Sequence, residues 1–435
     1  GDAKLYRKTV TSTVLFDMPD GDASGVLVDA KEKLVVTAAH VVESTVRGGK
    51  LDVAKVIFPS KGKDGRVITD TTFYRKRPEF VFPGKVIHYN RAKDLAVVRL
   101  KGVPPGVAGI PLATESPDPG ETIHAIGNSN IYEGGTFGYS EGKVRNVHFH
   151  DKGGHVFYSV THHAPTNRGD SGGAVLDGDG KLVAVVSEGT VGEGKRQVVD
   201  NSVHFSEIKR ALEQMQQPTG RRFLAVGTVD SPGSDEFYLP VTRGAQVGMT
   251  LKGAGTTDLD LFADDVDAPV DEKKGPPKPL IAETGDFDDE KGGFTAGFSG
   301  YVRVRVMNLG GKAKTKAKSG TNTYTLAVTP FGLRDPGGDR VAAPITVIRR
   351  IAEKGADAYE FSYTANAGKA RLSLRGDGDT ELTMTVEDPA GAVVGRAKCL
   401  ENLVDVTWTP AVTGPYKVKV TNPGKVWNRY VLTTD

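Results

Sequence analysis

Three residues of this chain have types and settings suited to nucleophilic catalysis: a serine between glycines, a histidine behind small residues, and an aspartate opening an apolar run. The serine stands in Ala164-Pro165-Thr166-Asn167-Arg168-Gly169-Asp170-Ser171-Gly172-Gly173-Ala174-Val175. Flanking glycines allow backbone conformations that a side chain forbids, and they let successive main-chain N–H groups converge on one point. Such a turn holds a nucleophile beside an oxyanion hole. A serine hydroxyl still needs a base to take its proton. His40, at the end of Thr37-Ala38-Ala39-His40, supplies one, and Asp94 opens Asp94-Leu95-Ala96-Val97-Val98-Arg99-Leu100. A carboxylate at the mouth of an apolar strand is costly to bury unless it is hydrogen-bonded, so Asp94 calls for a dedicated partner. The order is histidine, aspartate, serine, each at the edge of a β-run.

The elements that must position these residues are short, alternating and rich in Val and Thr, which predicts an all-β protein. Tyr6 to Phe16 reads as a strand, Gly25 to Asp29 as a second, and Lys33 to Val42 as a buried strand that ends in the histidine. With 435 residues and 54 glycines the chain is too long for one ordinary core, so two to four domains are expected. The 56 basic and 54 acidic residues are well mixed and leave a net charge of +2, so charge argues for neither nucleic acid nor a membrane surface. The longest apolar runs fall far short of a membrane span, and the sequence starts at Gly1-Asp2 with no signal-like apolar segment, so any export signal is expected to have been removed or never to have existed. One cysteine, Cys399, excludes an internal disulfide and reads as a small buried hydrophobe.

The motifs Thr37-Ala38-Ala39-His40, Asp94-Leu95-Ala96 and Gly169-Asp170-Ser171-Gly172-Gly173 resemble those of the chymotrypsin-like serine peptidases, and especially the bacterial trypsin-like and HtrA-like branch. The resemblance covers about half of the chain and implies a two-barrel domain. It implies Ser171 as nucleophile, His40 as base, Asp94 as its orienting acid, and the amides of Gly169 and Ser171 as the oxyanion hole. It also implies that Pro165 lies at the base of the primary specificity pocket, where trypsin-like cleavage would require an acid. Ser187 and Gly189 match the strand that pairs with bound substrate. Glu188 and Glu193 read either as walls that favour a basic substrate or as solvated loop acids. No Ile-Val-Gly-Gly-like N-terminus is present to pair with Asp170, so Arg168 or Arg145 is expected to hold it. A C-terminal helix over Ser206 to Met215, with Ser206 as N-cap, closes the domain.

Among the remaining histidines, His148 and His150, with His155 nearby, read as a solvated strand face rather than a metal site. His162-His163 reads as one buried and one exposed strand residue. The second half repeats itself after a linker at Gln216 to Gly220. Asp235-Glu236-Phe237-Tyr238 recurs as Asp357-Ala358-Tyr359-Glu360, Gly300-Tyr301-Val302-Arg303-Val304 as Gly414-Pro415-Tyr416-Lys417-Val418, and Asn322-Thr323-Tyr324-Thr325-Leu326 as Asn428-Arg429-Tyr430-Val431-Leu432. Alternation of Val with Arg or Lys predicts β-sandwiches with one wet face. These segments resemble bacterial pre-peptidase C-terminal domains, jelly-roll-like modules appended to secreted peptidases; some relatives bind calcium, for which Asp258 and Asp260, with Asp264 and Asp265, could supply oxygen ligands, while the same alternating acids also read as a solvated loop or strand face. Asp267 to Gly293 reads as a long exposed insertion, and Lys312 to Gly320 as a hairpin tip.

The expected layout is therefore a peptidase domain over 1–217 and two sandwiches over 221–330 and 341–435. The leading function is a secreted or periplasmic serine endopeptidase acting on protein or peptide substrates, with no cofactor required. The competing function is a catalytically silent peptidase fold that serves as a scaffold, with the sandwiches binding a surface or polymer.

Overall fold

The computed structural model describes every residue except 1, 130–134, 153, 192–196, 214–222, 254–256, 270–276, 285–288, 311–319, 335, 337–339, 401–402 and 435, and counts below refer to the described residues. Glu193, the linker Gln216 to Gly220, Met215 and nearly all of the Lys312 to Gly320 tip lie outside them. The chain divides into two compact units, Gly1–Glu213 and Gln214–Asp435.

The first unit holds two closed, six-stranded antiparallel barrels. The first is built from β1 (Thr13–Met18), β2 (Gly21–Asp29), β3 (Leu34–Thr37), β4 (Asp52–Ile57), β5 (Val81–Asn90) and β6 (Leu95–Leu100), closing in the order β1-β2-β3-β6-β5-β4. The second uses β7 (Thr122–Gly127), β8 (Gly138–Lys152), β9 (His155–His162), β10 (Ala174–Leu176), β11 (Leu182–Val191) and β12 (Gln197–His204), in the order β10-β11-β12-β9-β8-β7. Closure pairs each strand with two neighbours around the barrel, although β11 runs on past the end of β10. Val26, Val36 and Val97 of the first barrel and Ile126, Ala174 and Val185 of the second belong to one buried cluster. Leaving water as a set, these apolar side chains supply the main drive for packing.

Three expectations about this unit are corrected. The segment Tyr6 to Phe16 does not begin as a strand: α1 (Asp2–Thr9) is a helix, and the strand starts only at Thr13. Leu5 and Thr9 lie one turn apart, and the Thr9 hydroxyl donates to the Leu5 carbonyl at 2.9 Å. The β-branched residues that follow hid this helix. The strand expected over Lys33 to Val42 ends at Thr37, and His40 opens a helix, α2 (Ala39–Arg47). After the five-residue α3 (Thr71–Arg75), the last helix is α4 (Phe205–Leu212), capped by His204 rather than Ser206, because the His204 ring accepts the Ser206 N–H at 3.2 Å.

The second unit holds two eight-stranded sheets, each running through both sequence repeats, and a short two-stranded one, Leu333–Arg334 with Arg340–Val341. In one sheet Phe223–Asp230 pairs with Ala356–Tyr363, and in the other Gly233–Val241 pairs with Thr346–Ile351. One hydrophobic cluster accordingly extends from Phe223 to Leu432. Arg349 lies on the seam, 1% exposed, with its Nη2 at 3.1 Å from both Asp235 and Asp357. These are the aspartates that the repeat superposes. Each also accepts a hydroxyl from its own repeat at 2.7 Å, from Tyr324 and Tyr430 respectively. Two carboxylates share one guanidinium, and burial pushes the Asp235 carboxyl up to about 6. The stretch Asp267 to Gly293, expected as an exposed insertion, instead contributes strands at Ile281–Glu283 and Asp289–Thr295, which bury Ile281. Cys399 is buried as expected.

Candidate active site

Helix α2 begins without a side-chain cap, so its first-turn N–H groups need outside acceptors. Asp94 provides one: its Oδ1 accepts the His40 backbone N–H at 3.0 Å. A carboxylate is also electrostatically favoured at a helix N-terminus. Both oxygens of the same carboxylate lie 3.0 Å from His40 Nδ1, and Oδ2 accepts the Ser187 hydroxyl at 2.6 Å. Asp94 is 1% exposed and takes a left-handed backbone with φ 45°. Burial alone would raise its pKa, but His40 and the donor hydroxyl of Ser187 hold it down to about 2. The charge of Asp94 in turn raises the pKa of His40 above its ordinary value, against the opposing effect of burial. An ionised carboxylate only accepts hydrogen bonds, so His40 Nδ1 carries the proton and Nε2 presents its lone pair. The His40 side chain remains 43% exposed, open to a substrate.

Ser171 reaches this pair through main-chain packing. Gly172 has φ +85°, and a Cβ there would lie 2.1 Å from the Ser24 carbonyl and 2.2 Å from Thr37 Oγ1, so only glycine lets the turn sit against the end of β3, three residues before His40. The Gly172 N–H donates to Val186 O at 2.8 Å, and the Val186 N–H donates to Gly173 O at 3.0 Å. Val186 precedes Ser187, whose hydroxyl holds Asp94. The turn is thus tied at Gly172 and Gly173 to Val186, next to Ser187, which holds Asp94 and through it His40, while Gly172 also packs on Thr37, three residues before that histidine. Gly169 also has a positive φ of +101°. The Gly169 and Ser171 amides donate to no acceptor among the described residues, which leaves two N–H groups free beside the serine.

The expected partner of Asp170 is a correction. Neither Arg168 nor Arg145 bonds it; its carboxylate accepts the Asn167 N–H at 2.9 Å and lies beside Gly127. Burial, together with nearby Asp200, raises its pKa to about 6, opposed by the Asn167 and Ser129 amides. Backbone donors thus do the work assigned to an arginine. Asp170 and Pro165 line a cavity of about 220 Å³ together with Gly127, Tyr139, Ser140 and Asn167. The Pro165 carbonyl accepts the Ser140 hydroxyl at 2.8 Å.

Glu188 is not a solvated loop acid. Its Oε1 lies 2.8 Å from His150 Nε2 and its Oε2 lies 3.8 Å from His155 Nδ1. His150, expected on a wet face, is 7% exposed. The His150 ring, and after it the His155 ring, hold the Glu188 carboxyl well below the usual carboxylate range. Gly189 pairs with Asp200 on one side of β11, while β10 pairs with β11 only from Leu182 to Val185. From Ser187 onward no described strand covers the other edge, which is open to an extended peptide. His162 is buried and His163 exposed, and burial lowers the pKa of His162 to about 4.

Sequence reasoning missed one support of this site. Lys93, beside Asp94, makes a buried ion pair with Glu207 of α4 at 2.5 Å, and Glu207 also accepts the Tyr158 N–H at 3.1 Å. A lysine next to the acid and a glutamate in the last helix were visible, but nothing in their spacing linked them. In the second unit, Asp258 and Asp260 face Gly310 and Met307 on the neighbouring strand. Asp264 pairs with Arg303 and Arg305, at 3.2 and 2.9 Å. No cluster of three or more His, Cys, Asp or Glu residues able to hold a metal ion occurs among the described residues.

Two barrels meeting at a histidine–aspartate pair and a glycine-flanked serine define a peptidase of the serine type. Residues 23–185 match the family model described as a trypsin-like peptidase domain. No curated protein matches the chain. Among solved structures it is similar to the active form of the Rv3671c protease from M. tuberculosis, at 19% identity over 48% of this chain and 83% of that one, with TM-score 0.37. It is also similar to the HtrA-type protease AlgW with tripeptide (17% identity, 53% and 68% covered, TM-score 0.38) and to a serine endoprotease from Yersinia pestis (16%, 51% and 71%, TM-score 0.36). No described helix is long and apolar enough to cross a membrane.

Proposed function

We propose that the protein is a serine endopeptidase that hydrolyses peptide bonds of protein substrates through His40, Asp94 and Ser171. The observation that supports the reading is the His40–Asp94 pair, to which the Ser171 turn is tied through Val186 and Ser187, with two amides beside the serine that donate to no acceptor among the described residues. Ser171 Oγ attacks the scissile carbonyl while His40 Nε2 takes its proton. The Gly169 and Ser171 N–H groups receive the oxyanion, each contribution being about 3 kcal/mol of transition-state stabilisation. The C–N bond then breaks as His40 returns the proton to the leaving amine, and water, deprotonated by the same imidazole, clears the acyl-enzyme. Asp94 holds the ring in its reactive tautomer and stabilises the imidazolium. The substrate main chain pairs with the open edge of β11 at Ser187 and Gly189, and its side chain enters beside Pro165. No acid lies at Pro165, so cleavage after Lys or Arg is not part of the proposal.

This hydrolysis requires no cofactor, and calcium at Asp258 and Asp260 plays no part in it. The second unit, in its resemblance to pre-peptidase C-terminal modules, is proposed to bind a polymeric substrate or a surface for an enzyme that works outside the cytoplasm. A fluorophosphonate probe tests the catalytic reading: wild-type protein should be labelled under native conditions and the Ser171→Ala variant should not.

A further inference from the structure

Ser24 on β2 belongs to the first barrel, yet its polar atoms serve the nucleophile turn of the second. It is 0% exposed. Its main-chain N–H donates to the Ser171 carbonyl at 2.9 Å, and its carbonyl accepts the Thr37 hydroxyl at 2.7 Å. Its hydroxyl donates to the Gly169 carbonyl at 2.7 Å. That hydroxyl also accepts two hydrogen bonds from Asn128, from the backbone N–H at 2.9 Å and from Nδ2 at 3.1 Å. Asn128 is likewise 0% exposed; its Nδ2 donates to Val14 O at 2.9 Å and its Oδ1 accepts the Phe137 N–H at 3.0 Å.

The proton of Ser24 has one place to go. Both Asn128 groups are donors aimed at its oxygen, so the hydroxyl hydrogen must point at Gly169 O. One residue thus grips the turn at two carbonyls, Gly169 by side chain and Ser171 by main chain, on either side of Asp170. The Gly169 backbone is also pressed on the Asn128 carbonyl, where a Cβ would come within 2.3 Å. The Gly169 and Ser171 carbonyls belong to the peptide planes that directly follow the Gly169 and Ser171 N–H groups, so fixing both carbonyls holds the chain on the far side of each of those amides.

We propose that Ser24 is a positioning residue for the oxyanion hole: its hydroxyl fixes the Gly169–Asp170 peptide, which links the two oxyanion amides, so that the Gly169 and Ser171 N–H groups converge on the developing charge. The proposal rests on the serine-peptidase reading above. A donor preorganised on a developing charge lowers the barrier, whereas one free to swing must first be ordered. Removal of the grip therefore weakens transition-state binding more than substrate binding.

The test is a set of variants whose active sites are counted by fluorophosphonate titration. In Ser24→Ala the main-chain N–H to Ser171 survives and only the hydroxyl is lost. The expected result is a fall in kcat of about tenfold or more with KM within about twofold, and a matching loss of affinity for a peptide boronate, which mimics the tetrahedral intermediate, but not for a non-covalent peptide. Ser24→Cys preserves volume with a poor donor and should lose kcat in the same direction, which covers the case where Ser24→Ala does not fold. Tyr74→Phe, which removes hydroxyl bonds to Ile68 and Ser60 in the first barrel, supplies a control for destabilisation alone and should keep kcat within about twofold. Unchanged kcat and boronate affinity in the Ser24 variants overturn the proposal, as does a KM effect as large as the kcat effect. Failure of the wild type itself to react with the probe would instead refute the peptidase reading.

Discussion

Replacing Asp94 by asparagine isolates the part of the site that the geometry specifies most tightly. Asp94 accepts three donors: the His40 backbone N–H, the His40 ring and the Ser187 hydroxyl. Asparagine keeps the shape but offers one acceptor atom and one NH2 group. If its oxygen faces the backbone N–H and the ring, the NH2 meets the Ser187 hydroxyl, which can turn to accept. If its NH2 faces the ring, Nδ1 must become the acceptor and the proton moves to Nε2, where it blocks proton transfer from Ser171. In either arrangement the negative charge that stabilises the imidazolium is gone. Loss of the orienting acid in trypsin-type triads costs about 10⁴ in kcat, near 5.5 kcal/mol, and the same order is expected here. Asp94 is also the largest cause of the raised His40 pKa, so the variant should differ from wild type in pH dependence as well as in rate. The base works neutral, so wild-type activity should rise with pH through the raised His40 value, and the rise should move to lower pH in Asp94→Asn. Stopped-flow or steady-state hydrolysis of a peptide amide across pH 5–9 measures both. A variant within about tenfold of wild type, or one whose acidic limb stays in place, would refute the role assigned to Asp94.

Three further outcomes are expected. Both tryptophans, Trp408 and Trp427, lie in the second unit, so their fluorescence reports its unfolding alone. Arg349→Met should destabilise that unit by about 3–5 kcal/mol at neutral pH, because two buried carboxylates lose the cation they share. Since Asp235 already has its folded pKa raised, to about 6, protonation favours the folded state; the deficit should shrink as pH falls from about 7 toward 4, and a deficit independent of pH contradicts the assignment. The first unit should show the opposite trend at its buried histidines. Burial lowers His162 and His204 to about 4, so the unfolded chain takes protons first and stability falls between about pH 6.5 and 4, by about 3 kcal/mol per histidine at pH 4. His162→Gln should flatten that limb in circular-dichroism melts, and an unchanged limb would exclude His162 as a cause. Finally, a chain ending at residue 213 should cleave small peptides like the full protein but large proteins more slowly; equal losses on both would refute a substrate-binding role for the second unit.

The parts of this protein written in local pattern were legible in the sequence, and those written in long-range pairing were not. The glycines around Ser171, the apolar run after Asp94 and the alternation in the repeats are local signals, and the structure places His40, Asp94 and the serine turn in one cluster. His40 was misread as the end of a strand because Ala38 and Ala39 fit either a strand or a helix start, and the acceptor that caps the helix lies 54 residues away. The repeated Asp235 and Asp357 were visible as a match, but their meeting at Arg349 depends on the sheets continuing across the repeat boundary. Asp170 was expected to need an arginine, since a buried charge wants a cation, yet two backbone amides and a raised pKa meet that need locally. Ser24 and Glu207 carry no motif at all; only the approach of the barrels gives them work.

The most direct test of the central claim is intact-mass and peptide mapping after reaction with a fluorophosphonate. The account predicts one adduct per chain, on Ser171, formed faster as pH rises through the titration of His40 and lost in Ser171→Ala. An unmodified wild-type protein, or an adduct that persists in Ser171→Ala, would contradict it.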